Sequence, residues 1–371
     1  MNSWKECKLG DVANINPTES LRKGTIAKKI PMDALQPFTK KIPKFDVEQY
    51  NGGVKFRNGD TLVARITPSL ENGKTSFVDI LDENEIGFGS TEFIVLREKE
   101  DESDKHFLYY FAMSSEFREI AIKSMTGSSG RQRVQNEVVF GHEFLIPPLE
   151  EQKAIAEVLS SLDDKIDLLH RQNQTLESLA QTLFRQWFTD GNEILISSNE
   201  KVLTFGDLVD ISSGKSLKRE LFDDYGKYEI LGANGKIGKT NEWLFEEKLI
   251  YTGRVGTLGN IFLIDEVKKV WLSDNTLVIK PKKYFYYIYF LMQEFGIENL
   301  NVGSTQPLVR QSDLKNIEIL LHNDNIILEF ENQAKDIFSK IRQNQKQIQM
   351  LENLRDTLLP KLLSGEVRVE I

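Results

Sequence analysis

Residues 149–188 carry one continuous amphipathic pattern that constrains the fold more than any other stretch. From Ile155 to Trp187, apolar side chains recur at alternating intervals of three and four residues, the spacing of a coiled-coil seam. Only Asn173 interrupts this seam. A helix of about 40 residues is roughly 60 Å long, too long to be covered by one small domain. The pattern therefore predicts a long helix that needs a partner.

The predicted partner lies in the same chain, 175 residues further on. Adding 175 to each seam position gives a second seam from Phe330 to Leu362, in which Asn344 and Arg355 are the polar positions. Self-similarity at a fixed offset indicates an internal repeat, so we predict two half-proteins. The predicted domains are a first globular domain at residues 1–148, a central helix at 149–188, a second globular domain at 189–321, and a C-terminal helix with its tail at 322–371.

The two asparagines predict how the helices pair. Antiparallel packing that sets Asn173 against Asn344 matches two buried amides and places a positions against d positions. Parallel packing would oppose each asparagine to an apolar residue, at a cost of about 1–3 kcal/mol for each unmatched amide. The antiparallel register also sets Leu162 against Arg355, a poor pair unless the arginine head reaches water. The other predicted pairs are Leu159 with Leu358, Ile166 with Leu351, Leu169 with Ile348, Leu176 with Ile341 and Trp187 with Phe330.

Composition narrows the class of protein. The 371 residues carry a net charge of −9, one cysteine and four scattered histidines. The single Cys7 excludes an internal disulfide and a cysteine-rich zinc site, and we expect no metal site. No apolar run approaches membrane length, and the first residues do not follow the signal-peptide pattern. We therefore expect a cytoplasmic protein that does not contact a membrane.

The two globular parts are predicted to share one mixed plan of strands and helices. The expected elements are strands at 61–66 and 92–96 with a helix at 106–123 in the first part, and strands at 249–251, 261–264 and 276–279 with a helix at 284–295 in the second. Gly87-x-Gly89 and the glycines at 253–259 are interpreted as hairpin turns. The predicted fold class is α+β, with two globular α/β domains joined by two long antiparallel helices.

No group of residues in the sequence indicates catalysis. The stretch GANGKIGKT at 232–240 is similar to a phosphate-binding loop, but that motif requires a glycine where Ala233 stands. A strand pattern rather than a helix follows it, so we reject a nucleotide site. There is no nucleophile elbow. The methyltransferase tetrapeptide, asparagine or aspartate before two prolines and an aromatic residue, is also absent. We therefore expect no catalytic residue.

Polar loops occupy corresponding places in the two halves. Arg65 and Arg254 each follow a short strand and precede a turn, and a second polar loop precedes the last strand of each half. Arginine, glutamine, asparagine and serine are side chains that contact bases and phosphates. The candidate DNA-binding residues are Arg65, Ser69, Asn72, Lys74, Arg131, Gln132, Arg133, Asn234, Lys236, Lys239, Arg254, Gln306, Arg310 and Gln311. Ordinary surface polarity is the alternative interpretation for any single residue of this set.

Residues 21–45 hold a local excess of positive charge. Seven lysines and arginines accompany one acidic residue, Asp33, which leaves an excess of six charges. The sequence leaves two interpretations open, a solvated lysine-rich loop and a phosphate-binding patch.

With these features in place, the chain resembles the specificity subunits of type I restriction–modification systems. The matching stretches are IPPLEEQKAIAEVLSSLDDKIDLL at 146–169, LENLRDTLLPKLLSGEV at 351–367, the paired openings KLGDVANI at 8–15 and TFGDLVDI at 204–211, RITPSLENGKTSF at 65–77 and ILGANGKIG at 230–238. The resemblance covers the whole chain. It implies that each globular part is a target recognition domain for double-stranded DNA, and that the helices are a spacer between the two.

The resemblance also implies partners and a place in host defence. Two methyltransferase (modification) subunits would bind this chain, and restriction subunits would complete the nuclease. The chain itself would be a non-catalytic specificity subunit without a cofactor. S-adenosylmethionine, magnesium and ATP would belong to the partners.

The DNA target is predicted to be bipartite and asymmetric, because the helices repeat in register whereas the loops of the two halves differ. From Ile155 to Trp187 the paired helices span roughly 50 Å, about one and a half turns of duplex. Several unread base pairs should therefore separate the two parts.

Two other classes of function remain open on the sequence alone. A non-enzymatic coiled-coil adaptor without DNA specificity explains the seam but not two divergent domains with matched polar loops. A stand-alone enzyme is the third interpretation. Retention on DNA with and without the methyltransferase distinguishes a specificity subunit from a coiled-coil adaptor. Phosphate release or methyl transfer by the isolated chain would support the third.

Overall fold

A computed structural model describes residues 4–189, 201–256, 258–300 and 307–370 of the chain. Its contacts form two compact units, one of Met1–Arg171 with Gln345–Ile371 and one of Gln172–Asn344. Two helices of 40 residues each, Leu149–Phe188 and Asp324–Leu363, contribute residues to both units. Among the described residues, no helix is long and apolar enough to cross a membrane.

The first unit builds two four-stranded sheets ahead of the central helix. Its elements are β1 (Lys5–Lys8), α1 (Leu9–Val12), β2 (Ala13–Ile15), β3 (Ile26–Ile30), β4 (Asp46–Gln49), β5 (Val54–Phe56), β6 (Thr61–Ala64), β7 (Thr75–Phe77), β8 (Gly87–Gly89), β9 (Phe93–Glu98), α2 (Lys105–Met113), α3 (Ser115–Lys123), α4 (Asn136–Gly141), β10 (Glu143–Ile146) and α5 (Leu149–Phe188). The sheet orders are β2-β9-β6-β7 and β4-β3-β8-β5, and β1 pairs with β10. Only the β3–β8 pair is parallel among the strand pairs described in this unit.

The second unit repeats this topology strand for strand. Its elements are β11 (Lys201–Thr204), α6 (Phe205–Leu208), β12 (Val209–Ser213), β13 (Tyr228–Gly232), β14 (Gly235–Thr240), β15 (Phe245–Glu246), β16 (Leu249–Gly253), β17 (Ile261–Ile264), β18 (Lys269–Leu272), β19 (Thr276–Pro281), α7 (Phe285–Phe295), α8 (Gln311–Lys315), β20 (Glu318–Leu321) and α9 (Asp324–Leu363). The sheet orders are β12-β19-β16-β17 and β14-β13-β18-β15, and β11 pairs with β20. The predicted α+β fold with an internal repeat is confirmed.

The helix pair in the second unit has the predicted antiparallel register. The Asn344 amide donates from Nδ2 to Asn173 Oδ1 at 2.9 Å, and both side chains are buried. The rings of Trp187 and Phe330 lie 6.2 Å apart, centroid to centroid. Because these contacts join residues whose numbers rise on α5 while they fall on α9, the two helices run in opposite directions.

The helix pair in the first unit follows the same register with one correction. Ile166, Leu169, Ile348 and Leu351 pack together as predicted. The head of Arg355, however, does not reach water: its side chain is 12% exposed, and Nη1 lies 2.7 Å from Asp163 Oδ1. A carboxylate beside the seam compensates the arginine, which the seam pattern alone does not reveal.

Two local predictions are wrong. The single helix expected at 106–123 is broken at Ser114, which has an extended backbone and accepts the Phe117 N–H on its side chain, so that α3 begins anew. The hairpin turn expected at Gly87-x-Gly89 is strand β8. At Gly89 an added Cβ would lie 2.6 Å from the Ile30 carbonyl oxygen, so glycine serves close strand packing rather than a turn.

Candidate nucleic-acid interface

In the first unit, Arg65 directly follows β6 at the point where the two predicted polar loops meet. Its backbone N–H donates to the Glu92 carbonyl at 3.0 Å, and its own carbonyl accepts the Val134 N–H at 2.9 Å. The Thr67 N–H donates to the Gln132 carbonyl at 3.0 Å. The fold thereby brings the loop after β6 against the loop before α4, and joins them by backbone hydrogen bonds.

The side chains at this junction form a charged cluster of Arg65, Glu92 and Arg133. Arg133 donates from Nε to the two Glu92 carboxylate oxygens at 2.9 and 3.0 Å, and from Nη2 to Oε1 at 2.7 Å. Arg65 Nε lies 3.4 Å from Glu92 Oε2. The hydrogen bonds from Arg133, together with the charges of both arginines, hold the pKa of Glu92 below its ordinary value. Two cations around one anion leave this cluster with a net positive charge.

In the second unit, Arg254 occupies the equivalent backbone position. Its N–H donates to the Asn275 carbonyl at 2.9 Å, and its carbonyl accepts the Val309 N–H at 2.9 Å. Val309 lies 175 residues after Val134, the offset of the helix repeat. The two arginines therefore occupy matching positions in the two units.

A neutral side chain holds Arg254. Its Nη1 donates to Ser213 Oγ at 3.1 Å, and the same oxygen accepts from Gln311 Nε2 at 2.9 Å. The structure thus brings the predicted residues Arg254 and Gln311 to one side chain. The Nε atoms of Arg254 and Arg65 are both buried and make no hydrogen bond among the described residues. An arginine carries five N–H donors in a planar fork, and Ser213 takes one of those of Arg254.

The other candidate residues divide into groups. Lys74 turns inward and donates to the Met32 carbonyl at 3.0 Å, and Lys236 lies 3.5 Å from Glu229 in an ion pair. Asn234 accepts a hydrogen bond from Asn260 at 3.2 Å in the β13–β14 turn. Asn72, Arg131 and Arg310 are exposed, and Ser69, Gln132 and Lys239 are partly buried. Gln306 lies outside the described residues.

Long-range ion pairs compensate most of the positive charge at residues 21–45. Their acidic partners come largely from outside the segment. Lys28 pairs with Asp82 and Glu85, Lys29 with Glu48, Lys41 with Asp79, and Lys44 with Asp33. Lys40 is buried and donates to Ser160 Oγ at 2.8 Å. The structure therefore argues against a phosphate-binding patch, and the segment is not a solvated loop either, because Lys28 and Lys29 lie on β3 and Lys40 is buried.

The nucleotide and metal interpretations gain no support. Residues 232–240 span a β-hairpin formed by β13 and β14, not the strand, loop and helix of a phosphate-binding motif. Within the described part of the chain, no group of three or more histidine, cysteine or acidic residues is placed to hold a metal ion.

Sequence reasoning missed Glu92, Ser213 and Asn275, because the sequence does not show which residues the fold brings to an arginine. All three are partners that hold an arginine. Glu92 and Asn275 directly precede matching strands, β9 and β19. An alignment of the two halves on those strands would have paired the two residues and drawn attention to their difference in charge.

Comparisons with known proteins agree with this architecture. The family described as the type I restriction modification DNA specificity domain matches residues 1–178 and 197–354. The MjaIX specificity subunit of Methanocaldococcus jannaschii is 30% identical over 305 residues, which cover 71% of this chain and 69% of that protein. The HindI specificity subunit of Haemophilus influenzae is 21% identical and covers 99% of this chain and 100% of its own length. The crystal structure of a type I restriction–modification S subunit from M. genitalium has a TM-score of 0.60 at 19% identity, covering 99% of this chain and 96% of that one, and shows a shared fold.

Proposed function

Because this chain belongs to the family of type I restriction–modification specificity subunits, we propose that it reads the DNA target for such a complex. Each globular domain, at residues 1–148 and 189–321, reads one part of a bipartite, asymmetric sequence. The helices at 149–188 and 322–371 are the spacer, so several base pairs between the two parts go unread.

The matched positions of Arg65 and Arg254 carry this proposal. Each arginine directly follows a strand in the same place of a repeated sheet, and each holds the same two backbone hydrogen bonds. Their side-chain partners differ: Glu92 lies beside Arg65, whereas Ser213 binds Arg254. A repeated backbone arrangement with different side chains beside its two arginines fits a protein that binds two different half-sites.

The proposed partners are double-stranded DNA, two methyltransferase subunits and, in the complete assembly, restriction subunits. The chain acts as a non-catalytic subunit in the cytoplasm, and S-adenosylmethionine, magnesium and ATP are bound by its partners. Support comes from the relatives above, which are named specificity subunits of type I restriction enzymes.

A domain exchange tests the proposal. Residues 189–321 are replaced by the equivalent domain of a relative, the chain is produced with its methyltransferase, and the methylated sequences are mapped. One half of the methylated sequence should change, while the other half and the gap stay the same. The matched control exchanges residues 1–148 and should alter the opposite half. A change in both halves, or a continuous or palindromic native target, would contradict the two-reader proposal.

A DNA-retention experiment separates this function from the coiled-coil adaptor. The chain is passed over immobilised DNA with and without the methyltransferase, and bound protein is eluted with increasing salt. A specificity subunit should make retention by the complex depend on the DNA sequence. If the complex of this chain with the methyltransferase is retained equally on DNA of every sequence, the adaptor interpretation is correct.

A further inference from the structure

One position differs in chemistry between two clusters that otherwise match. Glu92 and Asn275 each stand directly before a strand, β9 or β19, and each offers its backbone carbonyl to the candidate arginine of its domain, at 3.0 and 2.9 Å. The backbone frame is therefore the same at both sites. Differences in how the arginines are held must come from the side chains.

In the first domain, Glu92 restrains two arginines. Its carboxylate is 22% exposed and takes three hydrogen-bond contacts from Arg133 at 2.7–3.0 Å, a forked geometry that fixes the guanidinium plane. The second carboxylate oxygen lies 3.4 Å from Arg65 Nε. Arg133 itself is 43% exposed, so the restrained fork faces outward.

In the second domain, neither part of this arrangement can form. Backbone bridges join Ile66 to Arg133 in the first domain and Val255 to Leu308 in the second, so that Leu308 stands where Arg133 stands. A leucine cannot pair with a carboxylate, and the Glu92 position is taken by Asn275. The Asn275 Oδ1 accepts a hydrogen bond from the Ser273 hydroxyl. No described carboxylate lies within ion-pair distance of Arg254, which is held by Ser213.

We infer that Glu92 is a positioning residue that fixes the arginines with which the first domain reads its base, a restraint that the second domain lacks because Asn275 stands in its place. This inference rests on the proposed DNA-reading function and names the residues that differentiate its two readers. A carboxylate only accepts hydrogen bonds, and it fixes the orientation of the arginine forks. Among the described hydrogen bonds, the Asn275 side chain accepts from Ser273 and not from Arg254, so the neutral Ser213 and not a carboxylate holds the fork of Arg254.

Two reciprocal substitutions in the complete chain, assembled with its methyltransferase, test the inference. Glu92→Gln keeps the size of the side chain but gives the first domain an amide, as the second domain has. Asn275→Asp places a carboxylate at the position that matches Glu92. Glu92→Gln should broaden the methylated sequence in the first half alone, and Asn275→Asp should alter the second half alone. Glu92→Asp, which keeps the carboxylate, should restore the native first half.

Binding measurements supply a second readout. Glu92→Gln removes one negative charge beside two arginines, so the slope of log K against log salt concentration should steepen by about 0.9. The ratio of specific to non-specific affinity should fall by roughly tenfold. The matched control is Glu48→Gln, which removes the same charge from an exposed ion pair with Lys29 elsewhere in the domain. It should leave the methylated sequence unchanged.

The outcomes separate this inference from the proposed function. A bipartite native target that Glu92→Gln leaves unchanged, or alters in both halves, overturns the inference and leaves the function standing. A native chain that gives no bipartite methylation overturns the function itself. If Glu92→Gln does not fold, Arg133→Gln approaches the same cluster from its other partner. It must alter the first half alone for the inference to hold.

Discussion

At equivalent positions of the helix seam, the first unit has an ion pair and the second unit has an apolar contact. In the first unit, Asp163 on α5 pairs with Arg355 on α9 at 2.7 Å, and the Tyr110 hydroxyl donates to the same carboxylate at 2.6 Å. The repeat offset of 175 converts Asp163 to Phe338 and Arg355 to Ala180. In the second unit, Phe338 and Ala180 are buried in one apolar core with Phe290, whose ring lies 6.0 Å from that of Phe338.

The comparison shows that one helix repeat accepts either a buried ion pair or an aromatic contact. A buried ion pair contributes little net stability because both charges lose water, but it is costly to break. Loss of one partner from the apolar contact leaves no unpaired charge in the core. We therefore expect the two units to respond differently to the loss of one partner, although their backbones follow the same plan.

Removal of the arginine should give the largest effect. Arg355→Met leaves the buried Asp163 carboxylate with the Tyr110 hydroxyl but without its cation, and should destabilise the first unit by about 3–5 kcal/mol. Hydrogen exchange of the α2 amides measures this, because those amides exchange when the unit opens. The control is Arg171→Met, whose ion pair with Asp167 is exposed and should matter by less than about 0.5 kcal/mol.

Replacing the ion pair of the first unit by the apolar contact of the second unit makes the same test more specific. In the triple variant, Asp163→Phe and Arg355→Ala give the first unit the side chains of Phe338 and Ala180, and Tyr110→Phe removes the hydroxyl that would lose its acceptor. Since no charge is left buried, stability should recover to within about 1–2 kcal/mol of the native chain. A triple variant no more stable than Arg355→Met would show that the surroundings of the two seams, and not the paired residues, decide between the solutions.

Helix capping differs between the units as well. In the first unit, Asp104 caps α2 locally by accepting the N–H groups of His106 and Phe107, each at 2.9 Å. In the second unit, Glu331 reaches across from α9 and accepts the Tyr287 N–H in the first turn of α7 at 2.6 Å. Burial raises the pKa of Glu331 to about 7, against an ordinary value of 4.5. This effect outweighs the hydrogen bonds from backbone N–H groups in the first turn of α7, which lower the pKa.

The raised pKa of Glu331 predicts that the stability of the second unit depends on pH. The folded state holds this proton more tightly than the unfolded state, so the stabilisation is complete below about pH 4.5 and is lost as the pH rises through about 7. The difference amounts to about 3 kcal/mol at most. Glu331→Gln should flatten the pH dependence of the free energy of opening reported by α7 hydrogen exchange across this window, whereas Glu329→Gln, an exposed neighbour on α9, should not. An unchanged pH profile in Glu331→Gln would assign the dependence to another group.

The two candidate arginines should differ in their importance for DNA binding. Arg254→Ala removes the cation from a cluster with no described carboxylate, and should weaken specific binding by about 2–3 kcal/mol. Arg65→Ala leaves Arg133 in place with Glu92, so a loss of about 1 kcal/mol is expected. Arg219→Ala, at an exposed arginine stacked on Phe222, is the control in the second unit. Unchanged binding and methylation by a folded Arg254→Ala chain would mean that this arginine has a structural role only.

The helix pair could be predicted because its information is local and periodic. The spacing of apolar residues predicted the two helices. The requirement that the buried amides of Asn173 and Asn344 pair with each other predicted the register. The compensation of Arg355 could not be predicted this way, since Asp163 lies beside the seam and Tyr110 comes from a different element. Pairwise contacts of this kind are made by the fold and leave no periodic signal.

The candidate site shows the same division. The repeat located Arg65 and Arg254 at matching positions, because each follows a strand that recurs. It did not reveal Glu92, whose partner Arg133 is 41 residues away in sequence. The charge excess at residues 21–45 misled for the same reason: acidic partners such as Asp79 and Asp82 lie outside the counted window.

The smallest effect on DNA affinity is expected from a substitution in the lysine-rich segment at residues 21–45, in contrast to the substitution of Arg254. Lys44 is exposed and pairs with Asp33 at 2.6 Å, so its charge is already balanced on the protein surface. Lys44→Gln should therefore leave specific DNA affinity within about threefold of native and should not change its dependence on salt concentration. A lysine that neutralised a phosphate would instead reduce the salt slope by about 0.9 on removal, because one fewer counterion would be released. Titration of the complex at several salt concentrations distinguishes the two outcomes, and a reduced slope would restore the phosphate-binding interpretation of this segment.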